Sequence, residues 1–172
     1  MLNGVASGVT DAQKAIMSKL WPGPITFVLR KNPAVPDVTT GGLDTVAVRW
    51  PSRREAAEII EAAGVPIAAP SANLSGKPSP TTFEDVAEDM DGRIDAIVKG
   101  ERTAIGIEST VLDLTSEVPT ILRPGFITKS QIEEAVDGEV RYDPSLFKKP
   151  GADDFHPKSP GMKYKHYAPK AA

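Results

Sequence analysis

The stretch GIESTVLDLTSEVPTILRPG, residues 106–125, holds two short runs rich in β-branched residues, Ser109–Leu114 and Thr120–Leu122, each joined to a polar or cationic side chain. Side chains of that shape fit a pleated surface, and runs of this length bounded by Gly, Pro and Ser read as strands. Working outward, Ile25–Leu29, Thr45–Arg49, Pro66–Ala69 and Ala96–Val98 read the same way, and Gly138–Tyr142 is a less regular candidate. Between them stand Ser or Thr residues followed three positions later by Glu or Gln, at Thr10/Gln13, Ser52/Glu55, Thr81/Glu84 and Thr128/Gln131. This is the capping-box spacing that satisfies the orphan amides of a first helical turn, so it predicts four helix starts. Helices and strands that intermingle in this way point to a layered α/β domain built on a twisted, mixed sheet with flanking helices.

The periodic pattern stops after Tyr142. Pro144, Pro150, Pro157, Pro160 and Pro169 follow, at a density that neither a long helix nor a central strand tolerates. The chain therefore divides into a body, residues 1–142, and an extended arm, residues 143–172. One helix precedes the first convincing strand, and Met1–Val9 ahead of it carries little pattern, so the body is expected to begin mid-fold. With 172 residues, 40% of them hydrophobic and 25% charged, the chain has the length and composition of one globular domain. Cysteine is absent, which excludes disulfides, thiolate metal sites and thiol redox chemistry. The net charge of −3 conceals an acidic body, with 14 Lys/Arg against 20 Asp/Glu, and a basic arm with 6 Lys against 3 Asp. An acidic body argues against tight, sequence-independent nucleic-acid binding and leaves any RNA contact weak and local. No apolar run approaches the roughly 20 residues that cross a bilayer, and Met1–Gly8 lacks the form of a signal peptide. The reading is a soluble, cytoplasmic protein.

Familiar catalytic templates are missing: there is no GxxxxGKS/T loop, no GxGxxG after a strand, no HExxH, and no histidine in the body to complete a Ser-His-Asp triad. Small polar residues at strand ends remain. Directly after Val65–Ala69 comes Pro70-Ser71-Ala72-Asn73-Leu74-Ser75-Gly76-Lys77-Pro78-Ser79-Pro80, a series of hydroxyls, an amide and a lysine suited to phosphate oxygens, or else a plain turn into the next helix. Arg123, at the end of a strand, has the bidentate fork that grips phosphate; alone, it would equally serve a surface ion pair. Ser109 and Thr110 would otherwise be ordinary strand residues. Thr45 and Arg49 share strand parity and so face one side of the sheet, where a hydroxyl and a cation could hold an anion. Trp21-Pro22-Gly23-Pro24 reads as a rigid turn with an aromatic anchor. In the arm, SPGMKYKHYAP, residues 159–169, mixes cations and aromatics in the manner of a lid, or of a basic tail.

The motifs WPGPITFVL, GLDTVAVRWP, GVPIAAPSANLSGKPSPT, GIESTVLDL, ILRPG and SPGMKYKHYAP, in this order, resemble the threonylcarbamoyl-AMP synthases, a family built on the YrdC-like domain; the last resembles the linker of their long form. The resemblance spans about residues 14–169 and implies the YrdC-like fold. It also implies the family's reaction, in which L-threonine, bicarbonate and ATP, with magnesium, form threonylcarbamoyl-AMP and pyrophosphate. A transferase complex then moves the threonylcarbamoyl group to tRNA. By position, Thr45, Ser71, Asn73, Ser79 and Arg123 match the family's ATP contacts. Arg49, the Ala69 backbone and Ser109 match its threonine site, and His166 and Tyr167 match the linker's contact with nucleotide. The resemblance implies catalysis by positioning and by charge stabilisation, with no nucleophilic side chain.

The family's PTETVYGL-like strand, its KxR signature and its NPL segment are not found in this sequence, and the second, C-terminal domain of the long form is expected to be absent. A body that lacks its N-terminal part, in a chain without the C-terminal domain, is therefore expected, and the alternative is a truncated, non-catalytic paralogue that binds nucleotide or RNA.

Overall fold

A computed structural model describes residues 1–147. Its centre is a five-stranded mixed sheet in the order β2-β1-β3-β4-β5. The strands are β1 (Ile25–Arg30), β2 (Thr45–Arg49), β3 (Thr110–Asp113), β4 (Thr120–Arg123) and β5 (Arg141–Tyr142). The helices are α1 (Leu2–Val5), α2 (Asp11–Leu20), α3 (Asp37–Thr40), α4 (Arg54–Ala63), α5 (Phe83–Met90) and α6 (Lys129–Val136). β1 is antiparallel to β2 and parallel to β3; β4 is antiparallel to β3 and parallel to β5.

One face of the sheet carries the main core. Ile25, Phe27 and Leu29 of β1, Leu112 of β3 and Ile121 of β4 pack with Met17 of α2 and Ile132 of α6. Most of these are sealed from solvent, and Phe27, Leu112 and Ile132 are fully so. The opposite face has a smaller buried cluster of Val28, Val111 and Leu122. β3 is buried at every position, as a strand covered on both faces should be. Its Asp113 turns the chain toward β4 by accepting hydrogen bonds from the Thr115 amide at 2.8 Å and from the hydroxyls of Thr115 and Ser116.

Two capping boxes form where the sequence places them. Thr10 accepts from the Gln13 amide while the Gln13 side chain accepts from the Thr10 amide, and Thr128 and Gln131 do the same. Gln13 also donates to the Leu114 carbonyl at 2.7 Å, so the cap ties α2 to the end of β3. The other two starts are displaced. α5 is capped by Thr82 with Asp85, because the Thr81 carbonyl accepts from the Thr103 amide and keeps that residue in extended chain. α4 starts after Arg53 with no side-chain cap, and the Arg53 guanidinium donates to the Glu101 carbonyl at 2.6 Å.

Two expected strands do not form. Pro66–Ala69 and Ala96–Val98 are irregular and exposed, with Val65, Ile67 and Val98 largely open to solvent. Strand geometry needs a neighbour for its amides and carbonyls, and among the described residues neither segment is paired in the sheet. Gly138–Tyr142 contributes only its last two residues as β5, because Asp137 takes a left-handed conformation that closes α6 and the chain needs Gly138–Val140 to turn back. At the far end of the described chain, Pro144–Phe147 forms a single 3-10 turn. The remainder of the expected arm lies outside the described residues.

Deleting the ring of Phe27, which meets Trp21 edge to face at 4.9 Å in the sealed core, removes both transfer energy and packing. Phe27→Ala should cost about 3–5 kcal/mol of unfolding free energy, read as a lower midpoint in chemical denaturation.

Candidate functional site

Cross-strand register brings four polar side chains to one end of the sheet. Arg49, the last residue of β2, pairs with Thr26 of β1; Thr26 pairs with Val111 of β3, and Val111 with Arg123 of β4. Ser109, just before β3, sits among them. Its hydroxyl lies 2.9 Å from the Thr26 hydroxyl and accepts from Arg123 Nη2 at 3.0 Å. Arg123 Nε and Nη2 also donate to the Ser109 carbonyl, at 3.1 and 2.9 Å. Arg123 Nη1 forms an ion pair with the nearly buried carboxylate of Glu108. The other oxygen of Glu108 accepts from the Ser79 hydroxyl at 3.1 Å. A continuous polar chain thus runs Thr26–Ser109–Arg123–Glu108–Ser79, across the sheet end and onto the loop of residues 70–80.

The Trp21–Pro24 turn supports this end of the sheet. Trp21 Nε1 donates to the Ile25 carbonyl at 3.0 Å and its ring anchors on Phe27, so the turn is the aromatic-anchored corner its residues suggest. It also holds the site. The Gly23 carbonyl accepts from Arg49 Nε at 3.3 Å, and the Pro24 carbonyl accepts from the Thr110 amide at 3.1 Å. The Arg49 guanidinium is held below its ordinary range, first by loss of hydration and then by the positive charge of Arg123. Two cations that repel one another, set around two hydroxyls, are an arrangement that favours an anion.

The 70–80 loop is pinned by α5. Asp89, 5% exposed, forms an ion pair with Lys77 and accepts from the Leu74 amide at 3.1 Å. Within the loop, Asn73 Nδ2 donates to the carbonyls of Leu74 and Lys77, both at 3.0 Å, while its Oδ1 is buried without a hydrogen-bond partner. An acceptor in that state costs about 1–3 kcal/mol unless something donates to it. A cavity of about 330 Å³ opens between the loop and α5, lined by Lys77, Ser79, Asp85, Glu88 and Asp89 among others. Three carboxylates against one ammonium make it a poor phosphate site, and the sheet end with Arg49 and Arg123 is the better candidate for an anion. Among the described residues no group of three or more His, Cys, Asp or Glu is placed to hold a metal ion.

A family model, Sua5/YciO/YrdC, described as telomere recombination, matches residues 1–125. The chain belongs to this family. A second model, described as threonylcarbamoyl-AMP synthase, C-terminal domain, matches residues 127–172. The threonylcarbamoyl-AMP synthase of Pyrococcus abyssi is 49% identical over 99% of this chain and 49% of its own length. That of Bacillus subtilis is 49% identical over 99% of this chain and 48% of its own. The chain spans about half the length of the curated relatives it matches. The crystal structure of P. abyssi Sua5 complexed with L-threonine superposes with a TM-score of 0.89 at 50% identity, covering 99% of this chain and 49% of that one. Escherichia coli YciO superposes with a TM-score of 0.65 at 27% identity, over 72% of this chain and 60% of its own. The mixed sheet with flanking helices is thus the fold that the resemblance to the YrdC-like domain implies.

Of the residues singled out by sequence in this family member, Arg49, Ser109, Arg123 and Ser79 meet at one end of the sheet. Thr45 shares a sheet face with Arg49 but stands at the other end of β2, paired with Arg30, about 13 Å along the strand. Ala69 and Ser71 are exposed on the chain entering the 70–80 loop, outside the polar chain. Asn73 lies in that loop, held by its own carbonyl contacts. His166 and Tyr167 lie outside the described residues. Sequence reasoning passed over Thr26, Glu108, Asp89 and Gly125. The first was hidden in an apolar strand, while Glu108 stood in plain view as a carboxylate at a strand entrance beside Ser109. Gly125 follows a proline and gives no local sign of its role: a Cβ there would lie 2.4 Å from the Thr110 nitrogen and 2.5 Å from the Glu108 carbonyl oxygen.

Gly125→Ala should therefore push the 108–110 segment out of place and separate Ser109 from Arg123. The expected result is loss of anion binding by calorimetry with a smaller loss in thermal stability. The loop anchor makes a pH prediction. The Lys77 hydrogen bond, reinforced by the Leu74 amide, holds the Asp89 carboxyl below the usual range, and the same bond raises Lys77. A depressed carboxyl stabilises the fold above its unfolded value and loses that contribution as pH falls through its folded value. A raised ammonium contributes below its unfolded value and loses it as pH rises through its folded value. The loop should thus stay anchored across neutral and mildly acidic pH, and release only below the ordinary Asp range or above the ordinary Lys range. An NMR titration of the Asp89 carboxyl should show the low midpoint, and Lys77→Met should bring it back toward normal.

Proposed function

We propose that this chain carries the L-threonine and ATP sites of an L-threonylcarbamoyladenylate synthase, a nucleotidyltransferase. It would join L-threonine, bicarbonate and ATP into threonylcarbamoyl-AMP, releasing pyrophosphate and water. The observation that carries this reading is the pair of arginines around Ser109: Arg49 offers a cation to the carboxylate of threonine, Ser109 a hydroxyl to its polar groups, and Arg123 a cation to phosphate. The likeness to a Sua5 structure complexed with L-threonine supports the amino-acid half.

In this reading threonine lies between Arg49, Ser109 and the Ala69 backbone. ATP runs along Arg123, Ser79, Asn73, Ser71 and Thr45, with His166 and Tyr167 of the 143–172 arm as further nucleotide contacts, while residues 1–142 form the body. The orphan Asn73 Oδ1 is an acceptor waiting for a donor such as a ribose hydroxyl or an adenine amine. The chemistry needs a carbamate oxygen brought in line with the α-phosphorus while the bond to pyrophosphate breaks. Arg123 would offset the negative charge that builds on the α-phosphate as the adenylyl group is transferred, and electrostatic stabilisation of that kind requires no nucleophilic side chain. The described residues supply no metal cage. Magnesium would enter on the nucleotide's phosphates, as that ion commonly does, and no step is assigned to it. The product would pass to a threonylcarbamoyl transferase complex acting on tRNA in the cytoplasm, with at most a weak tRNA contact by this chain. Among the described residues no helix is long and apolar enough to cross a membrane.

Calorimetry with L-threonine tests the reading directly. Arg49→Ala should weaken L-threonine binding roughly 10- to 100-fold, the scale of a lost charge-assisted hydrogen bond, and leave ATP binding nearly unchanged. Equal binding of L-threonine by both proteins would remove Arg49 from the site.

A further inference from the structure

Glu108 is the one charged residue of the polar chain with no part in the proposed chemistry, yet it links Arg123 to Ser79. Its carboxylate is 13% exposed, pairs through Oε2 with Arg123 Nη1, and accepts from the Ser79 hydroxyl through Oε1. It therefore engages, at once, two of the groups proposed to hold the nucleotide. Carboxylate and phosphate oxygens compete for the same guanidinium fork. The rest of that fork is turned toward Ser109, so the Nη1 edge is the part that an incoming phosphate would take.

We infer that Glu108 is an internal stand-in for phosphate: a positioning residue that holds Arg123 and Ser79 together in the unliganded protein and must yield the Arg123 Nη1 edge when a nucleotide binds. The inference rests on the proposed ATP site. Before the ligand arrives, the carboxylate partly offsets the charge of a guanidinium that repels Arg49, and keeps it oriented. Once the ligand is present, the same carboxylate stands against a polyanion. Glu108 thus keeps the empty site ordered at the expense of nucleotide affinity, and L-threonine, held at Arg49, is unaffected by the exchange.

The test is calorimetric titration of the wild-type chain, Glu108→Gln and Glu108→Ala with AMP, ADP, ATP and L-threonine. Gln keeps the hydrogen bond to Ser79 and removes the charge. It should bind ATP about three- to tenfold more tightly than wild type, with a gain that grows from AMP to ATP and no change for L-threonine. The Ala variant should show the same sign with a smaller gain, and it decides the matter if the Gln variant does not fold. A residue with a merely structural role would give weaker or unchanged ATP binding in both variants, and that result overturns the inference while leaving the ATP site standing. Failure of all three proteins to bind any adenine nucleotide overturns the ATP site and the inference with it.

Discussion

The parallel ladder between β1 and β3 joins Ile25–Val28 to Thr110–Asp113, and the rest of the molecule is arranged around it. On one face the ladder aligns Ile25, Phe27 and Leu112, the floor on which α2 and α6 pack. At its leading end it sets Thr26 beside Ser109. β2 and β4 then attach on either side and carry Arg49 and Arg123 to that same end. The register could not slip by one residue without turning Phe27 and Leu112 out of the core, so the packing that stabilises the sheet also fixes the spacing of the polar groups.

Electrostatically, the site is a concentration of positive charge that the protein keeps in check. Arg49 and Arg123 disfavour each other, and burial disfavours Arg49 further. The compensation is local: carbonyls of Gly23 and Ser109 accept from the guanidinium groups, and Glu108 supplies one full negative charge. Such clusters are unfavourable to fold and favourable to fill with negative charge. The loop opposite is held differently. Asp89 pairs with Lys77, so the loop's lysine is engaged with α5.

Much of this was legible in the order of residues. The strands 25–29, 45–49, 109–114 and 120–122 were marked by β-branched runs, and Thr10/Gln13 and Thr128/Gln131 by a spacing with a direct hydrogen-bond meaning; each stands within a residue or two of its expected place. Arg49, Ser109 and Arg123 were marked by their positions at strand ends. What was not legible depends on distant partners. Pro66–Ala69 has the composition of a strand, but only a neighbouring strand makes it one. Thr81 has the spacing of a cap, yet a bond from Thr103 displaces the helix start to Thr82. Thr45 and Arg49 share parity, and parity says which face a side chain occupies, not how far along the strand it lies. Gly125 is needed because two remote backbone atoms pass beside it, a fact with no trace in its own neighbourhood.

The polar chain Thr26–Ser109–Arg123–Glu108–Ser79 draws on segments far apart in sequence, joined through the β1–β3 ladder. Closing such long loops is the slow part of folding a mixed sheet. No fragment with local structure alone, such as a capped α2 or α6, can assemble any of it. The complete site therefore requires β2, β1, β3 and β4 to be paired in register, and a ligand bound across it would report the native arrangement. Any small ligand that binds there only in the folded state draws partly folded chains toward completion by mass action, so filling the site and finishing the fold are one equilibrium.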